Sequence, residues 1–314
     1  SVDKSDFKSI KNEPLFKVTY SSITYLDYLK QVSAMTFEQD ISFHLRYLID
    51  KGVQNDTADG ELRNAFLDIE TMDTTFPDVK NATNEIVAIT VYDSYSKNYY
   101  TFTWLSSCRK KQSVINGNEK TYTLPSEKEM MELFVKFIRD LDFDVIAGWN
   151  IFFDMGYIVQ RCIRIGVNHN IMSPMNRISY DDEKGTVRIA GRGILDLLSI
   201  YKILSAGSLK SYKLDYVAKE ILGKGKIEVE KIHIMRSTNQ NDKMLKYNRM
   251  DAQLCKELDD KLGMISYIDA LRKIIVCNWE DVIIFGIGDM KQAKLFTSRM
   301  IDVMLIKKAK SFNI

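Results

Sequence analysis

Between residues 62 and 105 three short runs, LRNAFLDIE, EIVAITVYD and NYYTFTWL, are dense in β-branched and aromatic residues and separated by polar turn-formers. Runs of this length and composition predict strands, and their close succession predicts an antiparallel meander. The period then changes. Apolar residues at 130, 133, 134, 137, 138 and 141 recur at helical spacing behind a Ser126-x-x-Glu129 capping box, which predicts a helix through MMELFVKFIRDL. DVIAGWN, at 144–150, is a short apolar strand, and FDMGYIVQRCIRIG a helix closed by Gly166. This alternation implies a right-handed crossover that lays the 143–149 strand parallel to a neighbour.

Further along, TVRIAGRG predicts a hairpin arm, ILDLLSIYKIL a helix, and YKLDYVAKEILGKG a helix stopped at Gly223. NDKMLKYNRMDAQLCKELDDKL is the longest helical pattern, starting at Asn241 or Asp242. Residues 263–314 predict more helix with a break at FGIGD and a basic end, KKAKSFNI. The first 60 residues mix short apolar runs with turn signals and close on KGVQNDTADG, a loop that marks a boundary near residue 60.

Composition narrows the classes. The chain has 314 residues, room for roughly two domains at about 150 residues each. With 45% apolar residues and only 15 Gly and 4 Pro it is globular and neither collagenous nor low-complexity. The 44 Lys and Arg nearly balance the 42 Asp and Glu, so a polyanion would be held by local basic patches and not by overall charge. Four cysteines (108, 162, 255, 277) without CxxC spacing and three scattered histidines (44, 169, 233) argue against a zinc site and for buried thiols in a reducing compartment. The most apolar stretches are cut by Asp154 and by Glu280-Asp281, and SVDKSDFKSI carries no signal-peptide core. The chain is therefore expected to be intracellular, in cytoplasm, nucleoid or nucleus, neither secreted nor bound to a membrane.

Three acidic elements carry chemistry. In AFLDIE, Asp68 and Glu70 share one face of a strand while Leu67 and Ile69 share the other. In GWNIFFD, Asp154 falls in the first turn of a helix. In YNRMD, a spacing of four puts Tyr247 and Asp251 on one helix face, with Cys255 a turn further on. Each has a plain reading when taken singly: a strand running out into solvent, a helix cap, a surface Tyr-Asp pair. Together they would supply four carboxylates and a phenol. Four acids in one cleft repel each other and demand divalent cations, and an all-oxygen donor set favours Mg²⁺ or Mn²⁺. Two such ions activate a water and stabilise the leaving oxygen of a phosphodiester displacement.

These motifs, with TFEQDISFHLRYLIDKG, IAGRGILDLLSIYK and SLKSYKLDYVAKEILGKGK between and around them, resemble the N-terminal and 3′–5′ exonuclease region of family B DNA polymerases, of the DnaQ-like, DEDDy type. The resemblance covers about residues 36–314. It implies an α/β, ribonuclease H-like exonuclease fold with a mixed β-sheet flanked by helices, in a domain at 61–262. An N-terminal segment at 1–60 precedes it, and a helical segment at 263–314 leads towards a palm domain. It implies Asp68, Glu70, Asp154 and Asp251 as metal ligands, Tyr247 as the residue that orients the attacking water, and Mg²⁺ or Mn²⁺ as the cofactor. DNA contacts fall to Thr71, Asn150, Phe153, Ser208 and Leu209, with Lys210 and Lys213 placed to meet phosphates.

The implied partners are a single-stranded or frayed DNA 3′ end and the rest of a polymerase, with room for a sliding clamp. Polymerase motifs like DxxSLYP and YGDTDS do not occur, and FGIGDM at 285–290 lacks the second aspartate. The polypeptide thus reads as the proofreading part of a larger replicative enzyme. Two alternatives stay open on the residues alone: a non-catalytic DNA-binding and scaffolding module, and a stand-alone DnaQ-like nuclease.

Overall fold

A computed structural model describes residues 2–8, 11–18, 43–52, 60–75, 77–205, 209–284 and 294–311. Ser208 and the FGIGD stretch lie outside these described residues. The chain divides into two compact units: residues 1–56 with 301–314, and residues 57–300. The smaller contains an antiparallel hairpin of β1 (Val2–Lys8) and β2 (Pro14–Val18) and the helix α1 (Phe43–Asp50), whose Leu45 and Ile49 are buried.

In the larger unit the three β-rich runs form β3 (Asn64–Thr71), β4 (Ile86–Asp93) and β5 (Asn98–Trp104), paired antiparallel as a meander. A second hairpin, β6 (Gln112–Asn116) and β7 (Glu119–Leu124), extends the sheet, with β7 running parallel to β5. Next comes α2 (Glu127–Leu141), where Ser126 accepts from the Glu129 N–H at 3.3 Å, as the capping box requires. Then β8 (Val145–Gly148) lies parallel to β3, and α3 (Ile151–Ile165) ends at Gly166, which takes the left-handed conformation. The hairpin β9 (Ile178–Asp181) and β10 (Thr186–Ile189) leads to β11 (Gly193–Asp196), parallel to β8. The sheet order is β11-β8-β3-β4-β5-β7-β6, a mixed seven-stranded α/β sheet of ribonuclease H-like type.

The remaining helices are α4 (Leu197–Leu204), α5 (Leu214–Leu222), α6 (Ile232–Ser237), α7 (Asn241–Leu262), α8 (Met264–Ile275) and α9 (Trp279–Val282). A short ladder, β12 (Ile283–Ile284) with β13 (Lys294–Leu295), and α10 (Thr297–Ser311) complete the described chain. One expectation changes: ILDLLSIYKIL is not one helix. Its Ile194-Leu195-Asp196 pairs with Ile146-Ala147-Gly148 as an edge strand, and Asp196 then caps α4 by accepting from the Ser199 N–H. A short buried run such as this satisfies its backbone equally well in helix or sheet, and the neighbouring strand decides.

Helices cover both faces of the sheet. On one, α2 and α3 pack Met130, Phe134, Ile138, Met155 and Ile158 against Leu67, Ile89 and Phe102. On the other, α6 and α7 pack Met235, Met244 and Leu245 against Val87 and Ala88. A buried ion pair fastens the first layer. Glu127 accepts from Arg161 and from the Ile86 N–H, while Arg161 also donates to the Ala82 and Thr83 carbonyls. Each polar atom of the pair is thereby answered, as burial demands.

Candidate active site

Leu67 and Ile69 face the α2 and α3 layer, so strand alternation turns Asp68 and Glu70 towards α7, which crosses β3 and β4. That helix presents Asn248 and Asp251 on its buried side. One carboxylate oxygen from each of Asp68, Glu70 and Asp251 lies within 4.8 Å of the others. Asp154, in the first turn of α3, is buried and stands outside this triad, yet it feels the charges of Asp68, Glu70 and Asp251. Strand β3 is third in the sheet, between a parallel and an antiparallel neighbour, and its two acids are half-buried.

The electrostatics follow from this crowding. Burial first, and then Asp251, push Asp68 well above the ordinary carboxylate range, against the pull of Lys226 and of the hydrogen bond from Asn248. Glu70 is raised by burial and by Asp68 and Asp251, and Asp154 by burial and by Asp68 and Glu70. Asp251 is raised by burial, and Lys226 opposes the shift. Burial disfavours the Lys226 ammonium, but Asp251, Tyr247 and Asp68 outweigh it and hold its pKa above that of a free lysine. Lys226 reaches in from the loop after α5, donating to Asp251 Oδ2 and, at 3.3 Å, to the Tyr247 hydroxyl. Its own N–H is fixed by Asp215 Oδ1 at 2.7 Å.

Among the described residues Lys226 is the one cation bonded to these four carboxylates, which leaves negative charge uncompensated whenever they ionise. Asp251 Oδ1 and Asn248 Oδ1 are buried without a hydrogen-bond partner. Unpaired buried oxygens in an all-oxygen donor set are what a hard divalent cation takes, and the residues fit such an ion. A cavity of about 390 Å³ opens onto the acids, lined by Asp68, Trp149, Lys213, Leu214, Asp215, Lys226, Tyr247 and Asp251.

The turn into α3 is built unusually. Asn150 sits at the N-cap in the left-handed conformation (φ 68°, ψ 40°), and its side chain makes no capping bond. Asp196 does that work instead, accepting at Oδ1 from the N–H groups of Asn150 (2.7 Å) and Ile151 (3.2 Å) while its Oδ2 caps α4. The Asn150 amide is thereby left exposed. Phe153 is half-buried against the core, its ring 5.9 Å from that of Tyr157. Thr71 is buried at the end of β3, just past a register shift after Glu70. Leu209 is half-buried, Lys210 and Lys213 are exposed, and of these Lys213 lines the cavity.

Reading the sequence missed Lys226, Asn248 and Asp196. Asn248 was within reach, since it lies three residues from Asp251 and so on the same helix face. Lys226 and Asp196 carry no local signal, because their partners are 25 and 46 residues away.

Comparison with known proteins adds an independent line. A family profile described as "DNA polymerase family B, exonuclease domain" matches residues 52–217, just over half of the chain, and ends before the helix that carries Tyr247 and Asp251. The DNA-directed DNA polymerase of Enterobacteria phage T4 is 28% identical over 237 residues, 66% of this chain and 26% of that protein. The DNA polymerase of Thermococcus kodakarensis is 28% identical over 228 residues, covering 71% of this chain and 13% of its own length. That of Pyrococcus glycovorans is 30% identical over 232 residues, 71% of this chain and 28% of the relative. The chain thus spans little more than a quarter, at most, of these curated relatives. Among the described residues no helix is long and apolar enough to cross a membrane.

Proposed function

This chain belongs to family B of the DNA polymerases through their exonuclease domain, and on that premise we propose that it hydrolyses the 3′-terminal phosphodiester of DNA. In this reading it is the proofreading part of a longer replicative polymerase, working inside the cell beside that enzyme's palm, fingers and thumb and a sliding clamp. The observation that carries the reading is the meeting of Asp68, Glu70 and Asp251 within 4.8 Å, with Tyr247 and Asp154 at its edges.

Two divalent ions, Mg²⁺ or Mn²⁺, held by Asp68, Glu70, Asp154 and Asp251, would supply Lewis acidity for an in-line displacement at phosphorus. The side chains do the rest. Burial and Asp251 push the Tyr247 phenol up to about 12, so it stays protonated at neutral pH and orients the attacking water instead of removing its proton. Lys226 holds Asp251 and Tyr247 in place and offsets part of the acids' charge. The exposed Asn150 amide and Thr71 bind the terminal nucleotide, and Phe153 stacks on a base, a contact worth about 1–3 kcal/mol and indifferent to base identity. Ser208 and Leu209 complete the contact, and Lys210 and Lys213 meet phosphates. A mispaired end frays at lower cost than a paired one, so selectivity needs no base-specific pocket.

The test is shortening of 5′-labelled single-stranded DNA in Mg²⁺. Replacing both Asp68 and Glu70 by Ala removes several kcal/mol of transition-state stabilisation, so the rate should fall roughly a thousandfold or more. Without divalent ions the thermal melt should stay at or above the parent's, because like-charge repulsion is relieved. Cleavage persisting in the double variant would place the chemistry elsewhere.

A further inference from the structure

The buried side of α7 that closes over the acids carries one neutral polar side chain. Asn248 is fully buried, its Nδ2 donates to Asp68 Oδ2 at 2.7 Å, and its Oδ1 has no partner. A buried carbonyl oxygen left unpaired is destabilising, so a residue that keeps one there answers to something in the site. Both heads of the amide share a carbon, which places the unpaired oxygen beside the Asp68 carboxylate. One turn along the same face, Asp251 Oδ1 is unpaired as well. An acid at position 248 would add another negative charge to a cluster already crowded with them, and an apolar residue would leave Asp68 Oδ2 without its donor. Only a neutral group that donates and accepts suits both demands.

We infer that Asn248 is a positioning residue of the ion site: its N–H pins Asp68 Oδ2 so that the other oxygen faces the cation, and its Oδ1 accepts from a water at the site. The inference rests on the reading above, in which Asp68, Glu70 and Asp251 hold divalent ions. Groups that orient a ligand in this way typically change metal affinity by about 10–100-fold when removed.

Mn²⁺ binding to the whole chain, without DNA and followed by the electron paramagnetic resonance of free Mn²⁺, tests it directly. Asn248→Ala and Asn248→Leu should each weaken binding about 10–100-fold. Leu keeps the branched shape and the number of heavy atoms, so the conclusion does not hang on a variant that leaves a cavity. Both variants should recover the DNA-shortening rate to within a few-fold at saturating Mn²⁺. Unchanged Mn²⁺ affinity in both, while Asp68→Ala loses it, would overturn the inference and leave the ion site standing. Failure to recover at saturating Mn²⁺ would reduce Asn248 to a structural role and overturn it too. A parent chain with no Mn²⁺ binding that Asp68→Ala removes would instead sink the underlying reading.

Discussion

In the proposed reading, Tyr247 separates water positioning from ion holding at a single oxygen atom. Its hydroxyl accepts from Lys226 at 3.3 Å, and it shares α7 with Asp251. Tyr247→Phe removes that oxygen and leaves every carboxylate where it was. The DNA-shortening rate should fall about 10–100-fold, at or below the lower end of what a positioned proton-handling group contributes. Single-turnover kinetics on a 5′-labelled oligonucleotide measure this. A loss as deep as that of the Asp68 and Glu70 double variant would mean that Tyr247 holds the site together and does not serve the water. The phenol's raised pKa adds a second expectation. Its ionisation should leave no inflection in the rate below about pH 10, the ordinary tyrosine value.

At the scale of elements, the site depends on how closely two parallel strands approach. A Cβ on Gly148 would stand 2.5 Å from the Leu67 carbonyl oxygen and 2.9 Å from Ile151 Cδ1, so β8 lies against β3 only because residue 148 has no side chain. Leu67 immediately precedes Asp68. Gly148→Ala should therefore cost about 1–3 kcal/mol of stability, the usual penalty for overpacking, and should lower nuclease activity by moving Asp68 away from Asp251. Urea unfolding and the DNA assay together check both effects. Parental stability with parental activity would show that the two strands can part without consequence. The same scale explains the division of ILDLLSIYKIL. Helix periodicity is visible in the letters, but the hydrogen bonds that claim Ile194–Asp196 for the sheet come from β8, and β8 is some 48 residues earlier.

For the whole molecule, the acid cluster predicts an unusual response to pH. Asp68, Glu70, Asp154 and Asp251 all have folded-state pKa values above those of the unfolded chain. Above the ordinary carboxylate range the folded state thus binds more protons than the unfolded one, and stability falls as pH rises through that window. The chain without divalent ions should melt at a lower temperature at pH 8 than at pH 5.5. An Asp68→Asn and Glu70→Gln double variant should flatten the slope. Saturating Mn²⁺ should raise the melting temperature more at pH 8, where the ligands are ionised, than at pH 5.5. Scanning calorimetry at the two pH values decides it, and a parent slope equal to the variant's would show that the cluster does not set the dependence. Asp73 and Asp93, whose pKa values are lowered, lose their contribution only below the ordinary carboxylate range. Asp196 and Asp259, also raised by burial, add to the slope in both parent and variant, and His169, lowered by burial, opposes it.

What the sequence determined on its own is whatever a local period encodes. Alternation put Asp68 and Glu70 on one face of a strand, a spacing of four put Tyr247 and Asp251 on one face of a helix, and Ser126 with Glu129 marked where α2 begins. Those patterns are fixed by backbone geometry within a few residues, so they need no knowledge of what lies opposite. Tertiary structure alone decided which faces meet. It set β3 inside the sheet instead of at an edge, brought Lys226 to Asp251, and gave the capping of α3 to Asp196, which left Asn150 exposed. It also showed that Asp68 has Asn248 for a partner 180 residues away. Contacts at such separations arise from the packing of whole layers, and no periodicity in the chain records them.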